Sequence, residues 1–258
     1  MVILLKRGLF SLLLGLSCLA GAQENLRVVF VETSPPYSYL VQEYAVEGLF
    51  PELVTALFEG TRFALEVKSA PWARAQLQVE SGEADLFLTY PSAKRQTYAS
   101  FATVPLFVED IGFLLYLPTN PNAAVLSKAR SFADLQGLLM LGNAVSEWEN
   151  DNVPLDIERE SIGDDESRLN VLIARHHGDF VIMGLEQAKY YTDKLGYPGR
   201  LAHAKVNFIP DAQVTFNLGV SKKYPDHAAL LAFINARQSD PAVQARLASI
   251  RARYALAK

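Results

Sequence analysis

The order in which strand-like and helix-like segments alternate constrains this chain more than any other feature. Residues 27–31 (RVVFV) are β-branched and aromatic and bounded by polar residues, the pattern of a buried strand. Residues 32–39 (ETSPPYSY) form a loop, because two adjacent prolines exclude helix and inner strand. Gly48-Leu49-Phe50-Pro51 then opens a helix. Pro51 suits the first helical position, Leu53, Val54, Leu57 and Phe58 recur at helical spacing, and Gly60 stops it. Phe63, Leu65 and Val67 alternate as a second strand. Residues 71–81 make a second helix, with Trp72, Ala75 and Val79 on one side and Gly82 at its end. Residues 85–89 (DLFLT) are a third strand. This order predicts parallel strands joined by crossover helices. Ligands bind such sheets beyond the carboxyl ends of the strands. The loops 34–39, 69–72 and 90–95 therefore converge on one rim.

A second α/β run follows. Residues 111–117 read as a strand, and 118–122 (PTNPN) break the pattern. Ser131 and Asp134 have capping-box spacing for a short helix that ends at Gly137, and 138–141 begin a strand. Residues 165–177 predict an amphipathic helix with Leu169, Leu172, Ile173 and His176 on one face. A strand at 179–183, a helix at 185–195 and a strand at 205–209 complete this run. After Pro210-Asp211, a strand at 213–220 and a helix at 225–237 follow. Asp240-Pro241 restarts a helix that runs to about residue 254.

At 258 residues, half of them hydrophobic and a fifth charged, the chain suits one large domain or two modest ones. Its formal charge of −4 and lack of a long basic run argue against binding nucleic acid through its phosphates. The single cysteine, Cys18, excludes a multi-cysteine zinc site and an intrachain disulfide. None of His176, His177, His203 and His227 has metal-ligand spacing. The GxSxG, P-loop and GxGxxG patterns are absent, so neither a metal nor a cofactor is expected. At the start, Lys6 and Arg7 precede an uncharged run over 8–19, and Ala20-Gly21-Ala22 has the small-x-small form of a signal-peptidase site. Cleavage before Gln23 and export to the periplasm are expected. The run is shorter than the ~20 residues a membrane span needs. An uncleaved anchor and a lipoprotein formed through Cys18 are the alternatives. Gly15-Leu16-Ser17 fits a lipobox poorly.

One constellation sits where ligands bind. Thr89 ends the third strand, and Ser92 and Arg95 follow. A guanidinium beside hydroxyls at a strand terminus makes a carboxylate clamp, offering two parallel hydrogen bonds to two oxygens. A surface arginine or an interlobe salt bridge is the alternative at this position.

These residues belong to a longer pattern. Pro35-Pro36-Tyr37, Gly48-Leu49-Phe50, Trp72, Gly82-x-x-Asp85, Thr89, Lys94-Arg95, Phe101 and Pro105-Leu106 occur in that order. Gly178-Asp179 and Gly219-Val220-Ser221-Lys222-Lys223-Tyr224-Pro225 follow. Over nearly the whole mature chain, the series resembles bacterial extracellular solute-binding proteins of family 3, the polar amino-acid-binding components of ABC transporters. The resemblance implies an α/β, two-lobed, periplasmic-binding-protein-like clamshell of type II with two hinge crossover strands. Lobe one would be 25–114 plus 214–258, lobe two 119–209, and the hinge about 115–118 and 210–213. Arg95 matches the arginine that binds a ligand carboxylate, Tyr37 the aromatic that covers it, and Thr89 a hydroxyl that helps hold its head. Trp72 lines the side-chain pocket or packs in the core. Ser146 is offered at a helix N-terminus of lobe two, and Glu147 with Trp148 lines the opposite wall. The acid that usually follows the second Gly-x-Asp strand is missing at Met183-Gly184, where Glu186 is the nearest replacement. The strand end before Arg95 is also two residues shorter than usual.

The expectation is a monomeric, non-catalytic exported receptor. It would capture a small carboxylate-bearing solute, an amino acid among the candidates, for an ABC permease. The alternatives are a cyclic-carboxylate dehydratase using Glu147 or Glu186, and a ligand-binding partner of a membrane sensor.

Overall fold

In the computed structural model, residues 23–41, 45–144 and 146–254 are described. The expected signal segment and Cys18 lie outside them. The chain opens with β1 (Glu24–Val31) and then, where a loop was expected, folds a small antiparallel sheet from β2 (Thr33–Ser34), β3 (Ser38–Val41) and β4 (Ala45–Glu47). Pro35 and Pro36 sit in the turn between β2 and β3, so neither removes a ladder hydrogen bond. Gly48 enters α1 (Leu49–Phe58) at φ +121, and a side chain there would strike the carbonyls of Pro36 and Tyr37. β5 (Phe63–Ala70), α2 (Trp72–Ser81) and β6 (Leu86–Thr89) follow as expected.

After β6 the chain departs from expectation. The loop that was to carry Arg95 contains α3 (Ala93–Tyr98), six residues long and capped by Ser92. It is too short to show helical periodicity. β7 (Ala99–Phe101) and β8 (Phe107–Asp110) return to the first sheet. β9 (Phe113–Tyr116) does not, pairing instead with strands of the second body.

That body contains α4 (Ala123–Leu126), a 3-10 turn at Phe132–Leu135 with the expected capping box, β10 (Met140–Asn143), α5 (Glu147–Asn152) and β11 (Arg159–Ile162). α6 (Asp165–Ala174), β12 (Val181–Ile182), α7 (Leu185–Lys194) and β13 (Ala202–Lys205) complete it. α6 stops before His176, whose φ of 51 and exposed ring remove it from the buried face assigned to it. The strand expected at 205–209 lies three residues earlier. Val206 and Ile209 instead plug the second core as irregular chain. The chain then re-enters the first body through β14 (Gln213–Ser221), α8 (His227–Gln238) and α9 (Pro241–Tyr254).

The first sheet runs β5-β1-β6-β14-β7, with β8 also on β14. β1, β5 and β6 are parallel, while β14 is antiparallel to β6, β7 and β8. Leu26, Val28, Leu86, Leu88, Leu218 and Val220 from its strands pack under α1, α8 and α9. The second body holds an antiparallel sheet, β12-β9-β13, and a parallel pair, β10-β11. Leu114, Met140, Phe180 and Ile182 centre one of its cores, and Leu115, Leu169, Leu172 and Val181 another. Two chain crossings join the bodies. They run side by side where Ile111 N–H donates to Ala212 O (2.9 Å) and Val206 N–H to Gly112 O (2.9 Å). The first crossing therefore lies at 111–112, not at 115–118, because β9 is already committed to the second sheet.

Candidate functional site

A cavity of about 290 Å³ lies between the two bodies. That is near the lower end for small-molecule sites, which run from about 300 Å³ upward. Residues of the first body, the second body and the crossings all line it.

Local folding aims Arg95 into it. β6 ends at Thr89, the chain turns through Tyr90-Pro91, and the Ser92 hydroxyl oxygen accepts the Arg95 N–H (3.3 Å) at the start of α3. The Arg95 side chain points inward and is only 4% exposed. Its Nε donates to Gln76 Oε1 (3.1 Å) and its Nη1 to the Tyr90 carbonyl (2.8 Å). The guanidinium lies 4.7 Å from the centre of the Trp72 ring. Burial lowers its pKa, opposed by the Glu147 carboxylate, yet a guanidinium so placed stays charged.

The remaining nitrogen reaches the other body. Arg95 Nη2 stands 2.9 Å from Glu147 Oε2, and the Ser92 hydroxyl donates to the same oxygen (3.0 Å). Glu147 begins α5, whose N-cap is Ser146; the Ser146 hydroxyl oxygen accepts the Glu149 N–H (3.1 Å). At another edge of the cleft, the Tyr191 hydroxyl donates to Thr33 O (3.3 Å), and the Tyr39 and Tyr190 rings lie 6.1 Å apart. Near the crossings, Trp148 Nε1–H donates to Asp211 O (3.0 Å).

Of the residues expected from the sequence, Arg95, Tyr37, Thr89, Trp72, Ser146 and Glu147 line this one cavity. Trp72 also packs against the core around Val79 and Phe87. Ser92 is not in the lining; its hydroxyl reaches the cavity wall only through its hydrogen bond to Glu147. Glu186 is not in the lining either. Met183, Gly184 and Gln187 form the wall there, and Glu186 sits half-buried in the first turn of α7. Tyr37 is 3% exposed and packs on Phe50 and Phe107, with ring centres at 5.3 and 5.2 Å.

Sequence reasoning missed the acids deeper in the cleft. Tyr37 O–H donates to Glu109 Oε1 (2.7 Å). Glu109 projects from β8, and a side chain at Gly184 across the cleft would collide with its carboxyl group. Burial pushes the Glu109 pKa up to about 8, despite the Tyr37 hydrogen bond, and the charges of Asp165 and Glu186 add to the rise. Burial likewise holds the Tyr37 hydroxyl far above its ordinary pKa. A signal for Glu109 was present in the alternation of Phe107 and Glu109, which puts a carboxylate on the face of an apolar residue. Arg168 was read only as part of a helix. It is 4% exposed and holds Glu149 Oε1 and Asp165 Oδ1, each at 2.8 Å. Glu149 Oε2 also accepts the Asn143 N–H (2.8 Å). Burial raises the Glu149 pKa, with the positive charge of Arg168 opposing.

The sequence profile of bacterial extracellular solute-binding proteins, family 3, matches residues 26–254. The chain belongs to this family. It is a two-lobed solute-binding protein, with one lobe in each α/β body and the cavity between them. No curated protein matches it in sequence. Solved structures match its fold. The substrate-binding protein of an amino acid ABC transporter has a TM-score of 0.68 at 13% identity, covering 89% of this chain and 98% of that one. The periplasmic VFT2 domain of Bordetella pertussis BvgS has a TM-score of 0.71 at 17% identity, covering 90% and 94%. The ancestral amino acid-binding protein AncCDT-1, a precursor of cyclohexadienyl dehydratase, has a TM-score of 0.67 at 15% identity, covering 89% and 95%. At these identities the likeness is one of fold.

Proposed function

We propose that this solute-binding protein is an exported periplasmic receptor that hands a small carboxylate-bearing solute to an ABC-type permease. It works as a monomer and without a cofactor. The observation that carries this reading is the Arg95 guanidinium, buried in the interlobe cavity with a carboxylate of the opposite lobe against Nη2. Two of its nitrogens are fixed by Gln76 and Tyr90 of its own lobe. The third meets an acid on another element, and a free carboxylate of the same charge and geometry can exchange for Glu147 there. The solute's apolar part then lies against Trp72 and Tyr37. Interactions made only when the lobes meet around the solute shift the population toward closure, and the closed shape is what the permease reads.

Of the three structures of like fold, one is a transporter component, one a domain of BvgS and one a precursor of a dehydratase. The dehydratase reading needs Glu147 or Glu186 as acid or base. Glu147 is engaged by Arg95 and Ser92, and Glu186 does not line the cavity, so the receptor reading is preferred.

A thermal-shift screen of amino acids, small organic acids and polyamines, run on the wild type beside Arg95→Gln, tests the proposal. At least one carboxylate should raise the melting temperature of the wild type and leave Arg95→Gln unmoved. Equal shifts in both proteins would remove Arg95 from binding. Conversion of a cyclic carboxylate by the purified protein would replace the receptor reading with the enzymatic one.

A further inference from the structure

Every acid in the cavity wall but one has a cation or a backbone N–H as partner. Glu147 meets Arg95, Glu149 and Asp165 meet Arg168, and Asp164 accepts the Ser167 N–H (2.8 Å) and hydroxyl (2.7 Å). Glu109, 6% exposed, forms no ion pair among the described residues. Its single hydrogen bond there comes from the Tyr37 hydroxyl to Oε1 (2.7 Å), a donor that serves a neutral carboxyl group as well as a charged one. Oε2 has no partner among the described residues and is not fully enclosed, so it opens on the cavity that the residue lines. The groups facing Glu109 are Tyr37 from the β2–β3 turn, Asp165 and Arg168 from α6, and Glu186 from α7. Its neighbours on β14, Val214 and Phe216, carry no charge. Arg168 is already held by two carboxylates, so its charge does not reach Glu109 undiminished. A buried carboxyl group without a cation of its own sheds its charge by keeping its proton.

We infer that Glu109 works as a neutral acid, its Oε2–H donating a hydrogen bond to an uncharged acceptor oxygen of the solute. This rests on the solute-binding reading of the cavity and names the second polar group of the solute. The solute is an oxo acid, with a carboxylate for Arg95, a carbonyl oxygen for Glu109 and no cationic nitrogen at that point. Because Tyr37 donates to Oε1, the carboxyl proton belongs on Oε2. The relay from the Tyr37 O–H to Oε1, and from Oε2–H to the solute, then polarises in one direction. Burial holds the Glu109 pKa at about 8, so the proton is in place at neutral pH before a solute arrives. An acid kept neutral in this way serves as a donor that a carboxylate cannot be. A cation at this point would have to expel that proton and lose its own water beside the rings of Tyr37, Phe50 and Phe216. An uncharged oxygen does neither. A side chain at Gly184 would collide with Oε1, so the opposite lobe presents none there to compete with the solute.

The test is calorimetric titration of the full exported chain with two matched series. One is phenylpyruvate, 3-phenylpropanoate and phenylalanine; the other is 4-oxopentanoate, pentanoate and 4-aminopentanoate. Within each, one carbon carries a carbonyl oxygen, no polar group or an ammonium. Wild type, Glu109→Leu and Glu109→Gln are titrated at pH 7 and pH 9, in two buffers of different ionisation enthalpy. At least one oxo acid should bind the wild type at pH 7 about fivefold or more tighter than both of its counterparts. By pH 9 its affinity should fall about tenfold as Glu109 ionises, with buffer-dependent heat that reports uptake of a proton. Glu109→Leu should lose the preference for the oxo acid. Glu109→Gln should restore it and hold it at pH 9, because the amide N–H donates in place of the acid and the amide oxygen still accepts from Tyr37. Thermal unfolding checks that the variants fold; if Glu109→Leu does not, the pH profile of Glu109→Gln decides. An amino compound that binds tightest, and tenfold more weakly to Glu109→Gln, would overturn the inference and leave the receptor reading standing. Equal binding of oxo and deoxy compounds at both pH values would do the same. Failure of all six to bind overturns the inference, and the receptor reading falls with it only if the wider thermal-shift screen also fails.

Discussion

Two guanidinium–carboxylate pairs start from the same short helix and lead opposite lives. Glu149 meets Arg168 inside the second lobe, where the two side chains are 3% and 5% exposed and Asp165 and the Asn143 N–H complete the contacts. Glu147, two residues earlier, meets Arg95 across the cleft and keeps 28% of its side chain in water. The first pair is locked by partners on one rigid body. The second joins two bodies, and its acid can return to solvent. The same chemistry is therefore framework in one place and an exchangeable contact in the other, and burial of the acid decides which. Glu109 is the limiting case: it is buried like Glu149 and forms no ion pair among the described residues.

The largest effect should come from the locked pair. Arg168→Met leaves Glu149 and Asp165 in the second lobe without their cation, and breaking a buried pair in this way costs about 3–5 kcal/mol. Chemical denaturation should show that loss whether or not a solute is present. A change below about 1 kcal/mol would mean that Arg168 belongs to the ligand site and not to the framework.

Glu109 should come next, with the opposite sign. Its folded pKa of about 8 lies above the ordinary 4.5, so the folded state holds a proton that the unfolded state releases. Its burial is harmless below about pH 4.5 and costs stability progressively as the pH rises to 8, a total on the order of a few kcal/mol. Glu109→Gln should flatten this decline and stabilise the protein at pH 8 without added solute. Unchanged curves for the variant would show that burial does not penalise the Glu109 carboxylate in the wild type.

Arg95 tests the exchangeable side. Arg95→Met removes hydrogen bonds to Gln76 and Tyr90, but Glu147 can turn to water. The stability loss should be about 1–2 kcal/mol, smaller than for Arg168. Loss of carboxylate binding should be complete in the same titration. If the two arginine variants were equally unstable, the distinction between the pairs would fail.

Much of this arrangement was readable before the structure. The β1, α1, β5, α2, β6 series follows from regular spacing of apolar residues with Gly60 and Gly82 as stops. The rim loops fell where the strand order put them, and six of the eight candidate residues line the cavity. What escaped was short or non-local. α3 and α5 have six residues each, less than two turns, so no periodicity marks them. Arg168 and Glu149 are nineteen residues apart on different elements, and nothing local pairs them. The acid missing after β12 pointed to Glu186 because reasoning stayed within that segment. The carboxyl group beside Gly184 comes from β8, in the other lobe. The crossing point was misplaced for a similar reason, since 111–117 reads as one apolar run and only sheet pairing divides it at Gly112.

The smallest effect is also the most discriminating. Glu147→Gln keeps the size of the side chain and a hydrogen-bond acceptor for Ser92 and Arg95, but removes the charge. With more than a quarter of the Glu147 side chain in water, the change in unfolding free energy should stay within about 1 kcal/mol. Binding responds differently. A solute carboxylate exchanging for Glu147 competes against a charged oxygen in the wild type and against a neutral amide in the variant. The variant should therefore bind carboxylates several-fold more tightly. Its affinity should also fall more steeply with added salt, because a solute ion pair forms there with none broken in exchange. Weaker binding in Glu147→Gln would reverse this assignment and make Glu147 a partner of the bound solute, an acid for a cationic group and no longer a competitor for Arg95.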